Sequence, residues 1–247
     1  MQTPRHKVLI AHIAISATIL LVLLSIMVTF WFPKGLFGVG GGWDGLKILL
    51  PIDMVLGPTL TFMFYKPGKK SAVFDLTAIA CVQAIALSYG IYAVYSQHPT
   101  ALVLSDGKLN TLTPVAFKEA RTWLEQEEME VIHPSDLDDN HPPVVVSKSF
   151  NAETFGPYLE SVMNGGVEQM QRADRYQSLE TGAAELAKAA LSTEAATKNL
   201  GFEANSKHVY FSVRSTHHNG VAEFSATGEE LIYVHPLVVT PPPTEAE

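Results

Sequence analysis

One cysteine, Cys81, is all that the 247 residues contain. An intramolecular disulfide is therefore excluded, and no ligand set is spaced for a structural zinc. The G-x-S-x-G elbow, the H-E-x-x-H pair and the C-x-x-C motif are absent as well. Pro67-Gly68-Lys69-Lys70-Ser71 lacks the upstream glycine of a phosphate loop. Gly38, Gly40, Gly41 and Gly42 have no βαβ unit around them to make a dinucleotide site, and they read as a flexible loop. His217 and His218 project differently from a turn. Asp136, Asp138 and Asp139 lack the glycine and closing glutamate of a calcium loop. A hairpin turn and a solvated acidic loop are the expectations there. No cofactor, metal site or small-molecule substrate is predicted, and the chain is expected not to be an enzyme.

Charge is scarce in the first part of the chain. Before residue 96 there are seven basic residues (Arg5, Lys7, Lys34, Lys47, Lys66, Lys69, Lys70) and three acidic ones (Asp44, Asp53, Asp75). The remaining 10 basic and 22 acidic residues lie further on, so the net charge of −8 belongs to the second part. Such a split marks a membrane region followed by a soluble domain. An acidic surface also excludes nucleic acid, whose phosphates need basic partners.

Three apolar runs occupy residues 8–32, 46–65 and 76–95. At 1.5 Å per residue the first reaches roughly 37 Å, more than the hydrocarbon thickness, and the other two are about one bilayer crossing each. Arg5 and Lys7 ahead of the first run resemble a signal-peptide start. Its end, Thr29-Phe30-Trp31-Phe32-Pro33, offers bulky aromatics where cleavage needs small residues, so a retained anchor is expected. The turn at Lys66-Pro67-Gly68-Lys69-Lys70-Ser71 is basic and breaks the helix. With the N-terminus cytoplasmic, five basic residues lie inside and only Lys34 and Lys47 lie in the first outside loop. That orientation puts the soluble domain in the periplasm and the chain in a bacterial inner membrane, in contact with lipid. The predicted layout is a transmembrane region at 1–96, a periplasmic α+β domain at 97–240 and a disordered tail at 241–247.

The polar residues inside the spans carry the most information. The first run is interrupted by His12 and small hydroxyl residues, the second by Asp53, the third by Gln83. A carboxylate in a spanning helix needs a partner or a polar cavity. An antiparallel hairpin that sets Leu46 beside Tyr95 and Tyr65 beside Leu76 brings Asp53 near Ser88 and Tyr89, one turn from Tyr92. It brings Gln83 near Gly57 and Pro58, where carbonyls freed by the proline need donors. This set either holds the hairpin together, receives another helix, or carries protons. Asp75 suits the start of the third helix, beside the lysines.

The second part alternates helical and strand patterns. Residues 101–104 read as a strand followed by the turn Ser105-Asp106-Gly107, and Thr113-Pro114 as a helix start. Further helices are predicted at 152–163 and 183–200, the latter stopped by Gly201, and a strand at 144–146. Runs at 209–213, 221–224 and 231–239 predict a C-terminal antiparallel β-meander. The fold class is thus three transmembrane helices followed by a soluble α+β domain.

Ile52-Asp53-Met54-Val55-Leu56-Gly57-Pro58-Thr59-Leu60-Thr61, then Tyr65-Lys66-Pro67-Gly68-Lys69-Lys70, then Asp75-Leu76, Gln83, Ala86-Leu87 and Tyr89-Gly90 form a pattern. Together these residues resemble the type IV pilin accessory proteins of the TfpX/TfpZ type, over residues 1 to 98 in detail and beyond Val103 in general layout. The resemblance implies a non-enzymatic inner-membrane factor that assists assembly of its partner major pilin into pili, alongside other pilus assembly proteins. Asp53, Gly57, Pro58, Gln83, Tyr89 and Gly90 are the candidate structural or partner-binding residues, with Lys66, Lys69, Lys70 and Asp75 at the cytoplasmic end. Three other readings compete. A sensor would need more cytoplasmic chain than a short N-terminus and a six-residue turn. A small transporter would work through Asp53. A structural subunit of another envelope complex would share every feature except the motif pattern.

Overall fold

The computed structural model describes residues 4–66, 69 and 71–237. Lys70, the Pro67-Gly68 pair, the end of the last predicted strand run at 238–239 and the tail at 241–247 lie outside the described residues. The described residues divide into two compact units, one from 4–31 with those of 42–96 and one from 32–41 with 97–237.

The first unit is helical. Helix α1 (Arg5–Ile26) runs on through a π-helical turn, Met27–Trp31. The short α2 (Leu36–Val39) belongs to the second unit. Helix α3 (Gly42–Pro51) passes through a second π-helical segment, Ile52–Leu56, into α4 (Gly57–Phe64), and α5 (Ala72–Gln97) follows. Three stretches, His6–Trp31, Gly42–Phe64 and Ala72–Gln97, are long and apolar enough to cross a membrane. Apolar on all sides, such helices suit lipid rather than a water-facing surface. The second span starts four residues earlier than the hydropathy of the run predicts, because Gly42, Trp43, Asp44 and Gly45 continue the helix. Helices α3–α4 and α5 lie antiparallel in a register close to the predicted one. Gly45 lies against Val94, Gly90 against Leu49, and Gly57 against Gln83.

The second unit is built on a seven-stranded sheet of order β4-β3-β1-β2-β5-β6-β7. Its strands are β1 (Ala101–Ser105), β2 (Lys108–Leu112), β3 (Val144–Ser147), β4 (Tyr176–Gln177), β5 (Val209–Arg214), β6 (Gly220–Phe224) and β7 (Leu231–Pro236). β1 and β3 are parallel and β2 and β5 are parallel, while β5-β6-β7 form the antiparallel meander. β1 and β3 are buried along their whole length, which is why Ala-Leu-Val-Leu and Val-Val-Val read as continuous apolar runs. Helix α6 (Pro114–Gln126) is capped by Thr113, whose hydroxyl accepts from the Ala116 N–H. Its Leu124 joins Val103, Leu112, Val145 and Tyr176 in one core cluster. Gly182 approaches Val146, which alternates to the opposite face of β3.

Several elements escape the sequence reading, among them β2, β4 and the break within the helix expected at 183–200. β2 carries Lys108, Asn110 and Thr111 and shows no apolar run. It forms because Asp106 and Gly107 both take positive φ, the geometry of a two-residue hairpin. Asn110 is buried there, its side-chain amide donating to the carbonyls of Ser105 at 3.2 Å and Lys108 at 3.0 Å. The predicted helix 183–200 is two helices, α8 (Ala183–Ala189) and α9 (Thr193–Leu200). Leu191 bridges to Tyr210 between them, and the Ser192 hydroxyl starts the second by accepting from the Ala195 N–H at 3.2 Å. Helix α7 (Ala152–Met163), by contrast, forms where expected, with Asn151 and Thr154 in a capping box.

The glycine-rich segment expected as a flexible loop is folded into the second unit. The Val234 N–H donates to the Lys34 carbonyl at 2.7 Å, and Lys34 Nζ donates to the Leu231 carbonyl at 2.5 Å. Phe32, Leu36 and Val39 are buried. Gly35, at φ 84°, lies so close to β7 that a Cβ would strike the Val234 carbonyl and the Tyr233 ring.

Candidate functional site

The polar residues of the spans converge on the π-helical segment Ile52–Leu56. Pro51 closes α3 and Pro58 lies in the first turn of α4, so the backbone between them is short of one donor. In π register the carbonyl of residue 53 would meet the N–H of residue 58, and proline has none. Gln83 Nε2 supplies the missing donor, reaching the Asp53 carbonyl at 3.3 Å and Asp53 Oδ1 at 2.6 Å. Gly57 makes this approach possible, since a Cβ there would overlap the Gln83 carboxamide.

Three residues from outside the predicted set complete the cluster. Ser16 Oγ donates to Asp53 Oδ1 at 3.1 Å. His12 Nε2 lies 2.9 Å from Gln83 Oε1, and His12 Nδ1 lies 2.9 Å from Thr61 Oγ1. Because Gln83 turns its amide nitrogen to Asp53, its Oε1 accepts, and His12 Nε2 is the donor. In the neutral ring Nδ1 then accepts from the Thr61 hydroxyl. A continuous chain therefore runs from Thr61 through His12 and Gln83 to Asp53. The signal for it was present in sequence as spacing: His12 and Ser16 are four apart on α1, and Asp53, Gly57 and Thr61 recur every four residues. The predicted hairpin paired only the second and third spans and so left the first out.

Asp53 is 2% exposed, and its Oδ2 has no hydrogen-bond partner among the described residues. Beside it opens a recess of about 270 Å³ lined by Ile15, Ile19, Ala80, Gln83, Ala84 and Leu87, together with His12, Ser16 and Asp53. The predicted hairpin sets Asp53 near Tyr89, but among the described residues no tyrosine hydroxyl bonds to it. Tyr89 is 72% exposed and Tyr92 faces outward likewise, while Asp53 draws its donors from Ser16 and Gln83. Gly90 is buried against Leu49. At the other end of the hairpin Lys69 Nζ pairs with Asp75 Oδ2 at 2.6 Å, Asp75 lying in the first turn of α5, and Lys66 is exposed. Lys70 lies outside the described residues.

In the second unit the most convergent polar group is Glu223 on β6. His208 Nδ1 lies 2.6 Å from Oε1, His235 Nε2 lies 2.9 Å from Oε2, and the Tyr210 hydroxyl donates to Oε1 at 3.1 Å. Burial raises the Glu223 carboxyl, but these hydrogen bonds outweigh it and hold the group below its ordinary value. The three partners come from β5, β7 and the turn before β5, so Glu223 ties the meander together. Among the described residues no three His, Cys, Asp or Glu side chains are grouped to hold a metal ion.

The chain is similar to fimbrial assembly proteins of Dichelobacter nodosus. It is 28% identical over 104 residues to those of serogroup I and serogroup E1, and equally so to that of serogroups C1 and C2. Each match takes in 41% of this chain. The chain spans 40% of the length of the serogroup I and E1 proteins and 79% of the C1 and C2 protein. No protein-family model and no solved structure matches the chain.

Proposed function

We propose that this chain is an inner-membrane accessory factor, of the TfpX/TfpZ type, that assists assembly of a cognate major pilin into type IV fimbriae without enzymatic activity. The similarity to proteins named for fimbrial assembly carries this reading. Three apolar helices long enough to span a bilayer suit a factor that meets its client in the membrane. The excess of basic residues at the N-terminus and in the 66–71 turn supports a cytoplasmic N-terminus, and with it a periplasmic second unit. Asp53, Gly57, Pro58, Gln83 and Gly90 shape the client-facing part of the hairpin, Tyr89 lies on its lipid side, and Lys66, Lys69 and Asp75 mark its cytoplasmic end. Deleting the gene and counting surface fimbriae, with total cellular pilin measured in parallel, tests the assignment. Fimbriae should disappear while pilin persists. Unchanged fimbriae would refute it.

A further inference from the structure

Asp53 presents a physical problem inside its own fold. Oδ1 accepts from Ser16 and Gln83, while Oδ2 is buried and meets neither donor nor acceptor among the described residues. An unsatisfied carboxyl oxygen surrounded by hydrocarbon is costly in either protonation state. An ionised Oδ2 needs a donor, and a protonated one needs an acceptor.

The depth of the site limits what can meet it. Asp53 lies midway along the span Gly42–Phe64, about 16 Å from either end. Gln83 lies near the middle of Ala72–Gln97. Lipid headgroups remain at the surface, and acyl chains offer neither a donor nor an acceptor. Water needs two to four polar neighbours, and those on the wall, His12, Ser16 and Gln83, already bond to one another, to Thr61 or to Asp53 Oδ1, while Ile15, Ile19, Ala80, Ala84 and Leu87 make the rest apolar. Ala80 and Ala84 are four residues apart and exposed along one face of α5, the small-residue spacing that lets a second helix come close.

We propose that the recess between α1 and α5 receives a transmembrane helix of the client protein. That helix places opposite Asp53, at the bilayer midplane, a neutral side chain that both donates and accepts a hydrogen bond: a hydroxyl, a carboxamide or a carboxylic acid. The identity of the client as the pilin rests on the assembly reading above. The recess itself does not.

The test uses the full chain in living cells, with a benzophenone side chain introduced in turn at Ile19, Leu21 and Phe155 and the cognate major pilin as the probe. Ile19 lines the recess, Leu21 is exposed at the same depth on the other side of α1, and Phe155 is exposed on α7 in the second unit. Light should yield a pilin adduct from Ile19 well above that from Leu21. Asp53→Leu should lower the Ile19 adduct by about three- to fifteen-fold, the loss of one membrane hydrogen bond, and Asp53→Asn should lower it less. Asp53→Leu also weakens the hairpin itself, so Ala84→Leu provides a second arm. It fills the recess without touching the polar cluster and should reduce the adduct at unchanged protein level. An Ile19 adduct indifferent to both substitutions, or no stronger than that of Leu21, overturns the recess proposal. If Phe155 still captures pilin in that case, the assembly reading survives. An Asp53-dependent adduct from Ile19 to a different membrane protein upholds the recess and overturns pilin as the client. No adduct to any protein from any of the three positions overturns both.

Discussion

Removing residues 32–41 should leave the soluble unit unable to fold stably. A fragment beginning at Gln97 would follow the division of the sequence by hydropathy, yet it omits Phe32, Leu36 and Val39, which are 1%, 0% and 0% exposed. Burying an aromatic or aliphatic side chain is worth about 1.5–3 kcal/mol, so the three together contribute roughly 5–9 kcal/mol. A domain of this size is stable by only about 5–15 kcal/mol in all. The deletion also strips the Lys34 carbonyl from the Val234 N–H, in the last strand of the meander. Residues 97–237 alone should therefore show no cooperative urea transition, or a midpoint close to zero denaturant. A second fragment joins residues 32–41 to Gln97 through a glycine-serine linker. Gly40 packs on Pro99, so about four residues bridge the gap. That fragment should regain a cooperative transition, and Leu36→Ala within it should cost about 2–5 kcal/mol. Equal midpoints and slopes for the two fragments would refute the reasoning.

Glu223→Gln should lower thermal stability at neutral pH. The sign follows from the depressed carboxyl: its contribution is present above the unfolded value near ~4.3 and is lost as pH falls through the lower folded value. The gap between variant and wild type should close in thermal melts taken progressively below that range. Ser192→Ala removes the cap that starts α9 and should destabilise the second unit by about 1 kcal/mol in urea titrations, with Thr193→Ala as a milder control. Gly57→Ala should displace the Gln83 carboxamide and cost about 1–3 kcal/mol in detergent unfolding. Adding Gln83→Ala to it should cost little more, and full additivity of the two changes would show that Gly57 is not there to admit Gln83.

Much of this protein is legible in the residues because the relevant physics is local. The length of an apolar run decides whether a helix can cross a bilayer, and 8–32, 46–65 and 76–95 sit within the observed spans but for a residue at two of their ends. Thr113-Pro114 starts α6 through a hydrogen bond three residues long, and Gly201 ends α9 because its left-handed backbone needs no neighbour. The meander strands were visible as β-branched and aromatic runs between turns. β2 was not, since its Asn110 is buried against backbone carbonyls that sequence does not display.

What only the tertiary structure decided is which faces meet. Asp53 and Gln83 stand out in any hydropathy reading, but the π-helical segment at Ile52–Leu56 sets the direction in which Asp53 points, and that direction is towards Ser16 on α1 rather than the tyrosines of α5. His12 and Thr61 join through hydrogen bonds that span 71 and 49 residues of chain. The glycine-rich stretch between the first two apolar runs reads as a loop because glycines carry no side chain to advertise burial. Phe32, Leu36 and Val39 are too few to form a core alone, and they are buried only because β7 offers backbone partners to hold the segment. Local propensity fixes where helices and strands begin and end, whereas a buried polar contact or a folded loop exists only once distant segments have met, since each alone would leave its polar groups unpaired.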